Sequence, residues 1–159
     1  MDIQEAILKN MAKQYDDMGV RVFVSDRTPI DMLAYTLSEI NRESLSEAQE
    51  IRLAKYVSDC YDACNKYFKL VMIIQPGIKL VADPTKAPIG AGYIEHMTHL
   101  VMGLTVNERI TAAHAYIPTR IIDLDERVQC VNNTVKRVMT QAMNDYKGTA
   151  DEEGRVRLH

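Results

Sequence analysis

The sequence contains no tryptophan, only two phenylalanines and three cysteines, and no long apolar run. Three cysteines are too few, and odd in number, for a disulfide framework, so we expect a reducing, cytoplasmic location. No segment approaches the roughly 20 apolar residues of a transmembrane helix, and MDIQEAILKN has no apolar stretch of signal-peptide length. These absences favour a soluble globular protein.

An excess of positive charge is also absent. The 19 Lys and Arg residues are outnumbered by 22 Asp and Glu residues, and the basic residues are scattered along the chain. Binding to nucleic acid or to an anionic membrane draws on clustered positive charge, so we expect neither partner. A small anionic ligand needs only two or three placed cations and is compatible with this composition.

The length and apolar content suit one compact domain. A chain of 159 residues with 47% apolar residues can bury roughly two-thirds of the surface that its unfolded form exposes. We assign residues 1–147 to a single domain. The last stretch, GTADEEGRVRLH, at residues 148–159, is expected to be a flexible tail.

Apolar spacing and capping residues predict five helices. Thr28, Pro29 and Asp31 have the positions of an N-cap, a first helical residue and a first-turn acid, and Ser46 with Gln49 resembles a capping box. The predicted helices cover residues 2–18, 29–41, 46–67, 93–104 and 123–146.

Three short segments rich in β-branched and apolar residues predict strands, at residues 20–24, 70–74 and 110–117. Between the second and third strands, Gly77–Gly92 contains two prolines and three glycines and is predicted to be a long irregular loop. Strands separated by helices indicate an α/β fold with a small, mainly parallel sheet and helices on both faces.

Three segments in this order carry a resemblance to a known family: VFVSDRTPIDMLAY, then KLVMIIQPG, then AAHAYIPTRIIDLDERVQCV. Together they resemble P-loop kinase-like proteins, the AAA-type ATPases or kinase-like proteins of phages and bacteria. That family is related in layout to thymidylate, nucleoside-monophosphate and nicotinamide-nucleoside kinases. The resemblance covers about Ile3 to Val131 and implies a three-layer P-loop NTPase-like fold, with ATP and Mg²⁺ as cofactors.

The Asp-Arg pair after the first predicted strand is the centre of the implied site. By the resemblance, Asp26 would lie near the magnesium ion and its waters, and Arg27 would bind a phosphate of the acceptor or of the transferred group. Asp31 and Tyr35, one helical turn apart, could face an acceptor nucleoside. Without any ligand, Asp26 and Arg27 are explained by a structural salt bridge and a helix cap. Asp31 is equally explained as a first-turn acid and Tyr35 as a core tyrosine.

The resemblance also implies roles for four basic residues. Gly77–Gly92 would be a lid that closes over the phosphates and could bring Lys79 or Lys86 to them. Arg120 and Arg127, which follow the third predicted strand, could contact the nucleotide; a capped, charged helix start is the alternative.

One motif of the family is missing. P-loop enzymes cradle phosphates with GxxxxGK[ST] after the first strand, and this sequence has no such segment. The chain thus resembles the family without its first strand and phosphate loop, and we expect no ATP binding of the usual kind. A late start, a natural remnant that has lost catalysis, and a partner chain that supplies the loop are three explanations. Unpaired strand edges would favour a homodimer.

Two functions follow as hypotheses. The first is the body of a phosphotransferase acting on a nucleoside, a nucleotide or a similar small acceptor, inactive as the chain stands. The second is a non-catalytic binding or oligomerisation module derived from such a fold. His96 and His99 have a spacing that can bind a metal, but a polar helix surface explains them more simply. Cys60 and Cys64 lie one turn apart on an apolar stripe, so core packing explains them more simply than redox chemistry.

Overall fold

The computed structural model describes residues 1–20, 22–40, 45–78 and 90–156, with side chains described up to residue 144. Over these ranges the helices and strands are α1 (Asp2–Asp17), α2 (Pro29–Glu39), α3 (Glu47–Tyr67), β1 (Leu70–Ile74), α4 (Ala91–Thr105), β2 (Ala113–Ile117) and α5 (Leu124–Val156). None of the described helices combines the length and the apolar content needed to cross a bilayer.

The helix starts follow from local side-chain chemistry. At the start of α2 the Asp31 carboxylate accepts hydrogen bonds from the backbone N–H and the hydroxyl of Thr28, each at 2.8 Å. At the start of α3 the Gln49 side chain accepts from the backbone N–H of Ser46 at 2.8 Å. Such reciprocal contacts satisfy donors that a helix start leaves without intrahelical partners.

The sheet consists of two parallel strands in the described part of the chain. Leu70 on β1 lies opposite Ala113 on β2, and Ile74 lies opposite Ile117. Parallel neighbours require a crossover connection, and here the connection includes α4. The structure is therefore of mixed helix and strand with a parallel pair, as the α/β expectation requires.

The core lies mainly between α2, α3 and β1. Ile30 and Leu33 of α2 and Cys60 and Cys64 of α3 have no exposed surface, and Val71 of β1 is 5% exposed. These side chains form one apolar cluster, and α2 also packs against α4. The buried face of α2 thus fixes the position of its exposed face, which carries the predicted site.

The predicted strand at residues 20–24 is wrong for the residues that the structure describes there. Val20 and Val22–Val24 form no regular element, and Val24 is 94% exposed. Phe23 alone turns inward, where its ring stacks on Tyr15 at 5.0 Å between centroids. A short strand is stable only with a hydrogen-bonded neighbour, and no described strand pairs with this segment.

Two further boundaries differ from the expectation. β2 begins at Ala113 rather than at residue 110, because Ile110 and Ala112 are buried in the helical core instead of extending the ladder. α5 continues through Val156, past the predicted end near Tyr146 and into the expected tail.

Candidate functional site

The Asp-Arg pair lies in the irregular turn that leads into α2. The hydroxyl of Ser25 donates to the carbonyl oxygen of Arg27 at 2.6 Å, and the Tyr15 hydroxyl lies 3.4 Å from the Ser25 Oγ. Thr28 and Pro29 then start the helix. The pair is therefore held by side-chain contacts and a helix cap, not by the end of a strand as the sequence predicted.

Arg27 is held against the first turns of α2. Its Nη1 atom donates to the Tyr35 hydroxyl at 3.1 Å, and its guanidinium carbon lies 5.5 Å from the centre of the Tyr35 ring. The same Nη1 lies 3.7 Å from an Asp31 carboxylate oxygen. The structure thus brings together three of the predicted site residues: Asp31 and Tyr35 lie one turn apart on α2, as predicted, and Arg27 reaches them from the turn before the helix.

The donors of Arg27 are only partly used. About half of its side chain, 52%, is exposed, and Nε and Nη2 have no hydrogen-bond partner among the described residues. Partial burial lowers the pKa of Arg27, but Tyr35 and the two neighbouring carboxylates raise it by more, so the net direction is upward. The residue is a permanent cation with two free donor positions in a planar fork.

Asp26 is exposed, and its carboxylate forms no hydrogen bond or ion pair with another described side chain. It contributes only a weak attraction to Arg27. A single free carboxylate next to a cation suits contact with a hydrated Mg²⁺, which keeps several waters and takes one or two protein carboxylates. In the described part of the chain no three acids, histidines or cysteines gather into a metal-binding group.

Arg127 occupies a different place, where the carboxyl ends of β1 and β2 meet the start of α5. Its side chain is buried, with 6% exposed. Nε donates to the Ile121 carbonyl at 2.6 Å and Nη1 donates to the Gln75 carbonyl at 2.9 Å. The guanidinium therefore braces the end of β1 against the segment that follows β2.

The third nitrogen of this guanidinium, Nη2, is buried and has no hydrogen-bond partner among the described residues. It points at Gly77, where an added Cβ would overlap it and would lie 2.6 Å from the Thr119 carbonyl oxygen. No described carboxylate forms an ion pair with Arg127. Sequence reasoning missed this brace; the one available signal was a glycine three residues after the end of β1, a position where backbone often approaches closely.

Of the remaining predicted residues, Arg120 lies in the chain between Thr119, whose carbonyl oxygen approaches Gly77, and Ile121, whose carbonyl accepts from Arg127. Arg120 is exposed, in the turn after β2. Lys79 and Lys86 lie outside the described residues, as does most of the predicted lid. No hydrogen bond or ion pair among described residues connects Arg27 with Arg120 or Arg127. The structure therefore assembles the Arg27 corner and shows no contact that links it to Arg120 or Arg127.

An open groove of about 500 Å³ runs between α1 and α3, with Leu8, Ala12 and Tyr56 on its floor and Lys9 and Lys55 at its rim. It includes none of the residues predicted for the site. Among the histidines, His99 Nδ1 lies 2.7 Å from the Glu95 carbonyl oxygen, one turn back along the same helix. This local contact fits a polar helix surface.

The buried cysteines are expected to be unreactive. Burial raises the pKa of Cys60 to about 12 and that of Cys64 to about 11, so almost no thiolate forms at mildly alkaline pH. Cys130, on α5, is only partly buried. In a thiol titration with an aromatic disulfide reagent, we expect one thiol to react in the folded protein and all three to react after denaturation. Cys130→Ser should remove the fast reaction, and rapid reaction of all three native thiols would contradict the burial.

Comparison of the chain with protein-family models, curated proteins and solved structures finds no match. The fold and the site therefore define a class only at a coarse level: an α/β protein with a small parallel sheet and a half-exposed arginine corner at the start of a helix.

Proposed function

We propose that the protein binds a phosphate-bearing small molecule, of nucleotide type, at the corner formed by Asp26, Arg27 and Tyr35. The observation that supports this most directly is the free Nε and Nη2 of a half-exposed guanidinium whose Nη1 is already held. A preorganised planar fork matches two oxygens of a phosphate, and little side-chain freedom is left to lose on binding.

The contacts of Asp31 indicate that Arg27 is held in place but keeps much of its positive charge, unlike an arginine in a simple surface ion pair. The Asp31 carboxylate is engaged by Thr28, and its oxygens approach Arg27 no closer than 3.7 Å. An exposed pair at this distance contributes little to stability, about 0–1 kcal/mol. Asp31 therefore orients Arg27 without neutralising it fully, and the cation can still attract an anion.

Asp26 would contribute through a metal ion. If the ligand carries Mg²⁺ on its phosphates, the free carboxylate of Asp26 suits a contact through the metal-bound waters. The ion would supply charge neutralisation on the phosphate oxygens. In one Mg²⁺–phosphate group, Asp26 would then contact the metal side and Arg27 would bind the phosphate oxygens.

The proposal is binding, not transfer. In a kinase-like body this corner would position the phosphoryl donor or acceptor of a nucleoside or nucleotide, as the resemblance implies. Phosphoryl transfer depends on positioning every phosphate oxygen, and the sequence has no GxxxxGK[ST] segment to do so. The non-catalytic binding module is therefore the function that we favour.

Isothermal titration with ATP, a deoxynucleoside monophosphate and inorganic phosphate, with and without Mg²⁺, tests the proposal. Arg27→Ala should weaken binding by roughly tenfold or more, since hydrogen bonds to charged groups contribute about 1.5–3 kcal/mol. Arg27→Lys should restore the charge but not the fork and should recover only part of the affinity.

Arg109→Ala is the matched control. Arg109 also stacks on a tyrosine, at 4.3 Å from the ring centre of Tyr61, and its Nη2 donates to a hydroxyl, that of Ser58, at 3.1 Å. Its removal should leave affinity unchanged. The proposed site is wrong if the wild-type protein shows no binding heat with any of the three ligands. It is also wrong if Arg27→Ala and Arg109→Ala lose affinity equally.

A further inference from the structure

The buried guanidinium of Arg127 has one nitrogen that the described chain leaves unused. The other two nitrogens donate to neutral carbonyl oxygens, those of Ile121 and Gln75. Nη2 carries two N–H groups, is buried and has no hydrogen-bond partner among the described residues. A buried donor without a partner is costly, and native structures rarely keep one unless a water, a ligand or a functional role accounts for it.

Arg127 also has no neutralising charge paired with it. Its side chain is only 6% exposed, and no described carboxylate forms an ion pair with it. The acids at the start of α5, Asp123, Asp125 and Glu126, are all exposed, and the Asp123 carboxylate accepts from the backbone N–H of Glu126 at 2.8 Å. A buried charge is costly unless an opposite charge is paired with it, so the position favours an anion.

The unused nitrogen lies at the edge of the sheet where ligands commonly bind. β1 and β2 are parallel, so their carboxyl ends lie on the same edge. The turns that follow the two strands approach each other at Gly77 and Thr119. α5 begins at the same edge, because Arg127 in its first turn reaches the Gln75 carbonyl. In open parallel sheets, ligands bind in the crevice outside the carboxyl ends of the strands.

Backbone donors next to Nη2 are free as well. The N–H groups of Gly77 and Ile78 donate to no backbone acceptor among the described residues. Nη2 fills the space that a side chain at residue 77 would need, since an added Cβ would lie 1.9 Å from it. A guanidinium nitrogen beside free backbone N–H groups is a set of donors that suits the oxygens of an anion.

We propose that Arg127 Nη2 and the Gly77 turn bind a small oxyanion, a phosphate or carboxylate group, at the carboxyl ends of β1 and β2. The site is distinct from the Arg27 corner, because no contact among the described residues links the two arginines. Only one guanidinium nitrogen remains, so the anion meets a single nitrogen rather than a two-nitrogen fork. We therefore expect weak binding, with a Kd on the order of 1–10 mM.

Access to Nη2 requires a shift of one turn. The atom itself has almost no exposed surface, but Gly77 beside it has no side chain. Pro76, Ile78 and Thr119, which flank this point, are exposed, so the nitrogen lies about one residue beneath the surface. A movement of residues 76–78 away from Thr119 opens Nη2 while the guanidinium keeps its bonds to both carbonyls.

Thermal denaturation of the full chain with inorganic phosphate, sulfate or acetate, at constant ionic strength in sodium chloride, tests the site. All proteins in the test carry Arg27→Ala, so that the Arg27 corner contributes no binding. We expect a saturable rise in melting temperature, by roughly 3–5 °C when the anion exceeds its Kd tenfold. A response to phosphate and sulfate alone identifies a tetrahedral oxyanion as the ligand, and a response to acetate identifies a carboxylate.

Gly77→Ala and Gly103→Ala are the matched pair of variants. The first places a Cβ against Nη2 and should abolish the saturable rise, whereas the second adds the same atom to an exposed helix interior and should retain it. Arg127→Met removes the donor and should also abolish the rise. General stabilisation by phosphate and sulfate does not saturate and does not depend on Arg127.

Circular dichroism checks that each variant is folded. The proposal is overturned if none of the three anions gives a saturable rise in the Arg27→Ala protein. It is also overturned if Arg127→Met retains the rise, or, where that variant does not fold, if Gly77→Ala retains the rise as fully as Gly103→Ala does.

Discussion

Replacing Leu33 with alanine is expected to destabilise the fold by about 2–5 kcal/mol, the range for buried leucines whose removal leaves a cavity. Leu33 has no exposed surface and lies in the apolar cluster that α2 shares with α3. The same helix carries Asp31 and Tyr35, which hold Arg27, so loss of this packing should also weaken any ligand binding there. Chemical denaturation followed by circular dichroism measures the change.

Glu39→Ala provides the control for Leu33. Glu39 is the last residue of α2 and is exposed, so its truncation removes no core contact. Surface substitutions of this kind usually change stability by no more than about 0.5 kcal/mol. A loss below 1 kcal/mol for Leu33→Ala would mean that the contact between α2 and the core is not tightly packed.

Gly77→Ala is expected to destabilise the protein by about 1–3 kcal/mol, the usual effect of forcing extra volume into a packed site. The added Cβ would overlap Nη2 of Arg127 and would lie 2.6 Å from the Thr119 carbonyl oxygen. The arginine could move away only by giving up its bonds to the Gln75 and Ile121 carbonyls. Thermal or urea denaturation measures this effect.

The same substitution at Gly103 should have the opposite sign. Gly103 lies inside α4, is exposed, and would have no atom within 4 Å of an added Cβ. Alanine in an exposed helix interior is more stable than glycine by about 0.5–1 kcal/mol. Equal stability changes at the two glycines would show that the approach of Arg127 to Gly77 is not close.

The helices of this protein could be predicted because their signals are local. Thr28 with Asp31, and Ser46 with Gln49, define the starts of α2 and α3 through contacts three residues apart, and the structure shows those contacts. The strand β1 could be predicted because an apolar run of five residues follows a helix and ends at Pro76 and Gly77. In each case the deciding residues are neighbours in the chain.

The candidate site likewise has one part that could be predicted from the sequence and one part that could not. Asp31 and Tyr35 lie one turn apart on α2, so their proximity was predictable, whereas Arg27 precedes the helix and reaches both through its side chain. Whether Arg127 faces solvent or the strand ends was not predictable, since both orientations are compatible with a charged helix start. In the structure Arg127 is buried because its guanidinium donates to the carbonyl groups of Ile121 and of Gln75, which is 52 residues away.

The sequence by itself determined the class of secondary structure, most helix boundaries, the strand β1 and the one-turn spacing of Asp31 and Tyr35 on α2. Only the tertiary structure decided that residues 22–24 pair with no described strand and that Arg127 is buried against Gly77. The physical reason is the distance along the chain over which each interaction acts. Caps, helix propensity and side-chain period act within one or two turns, whereas strand pairing and burial depend on partners that the fold brings from distant parts of the chain.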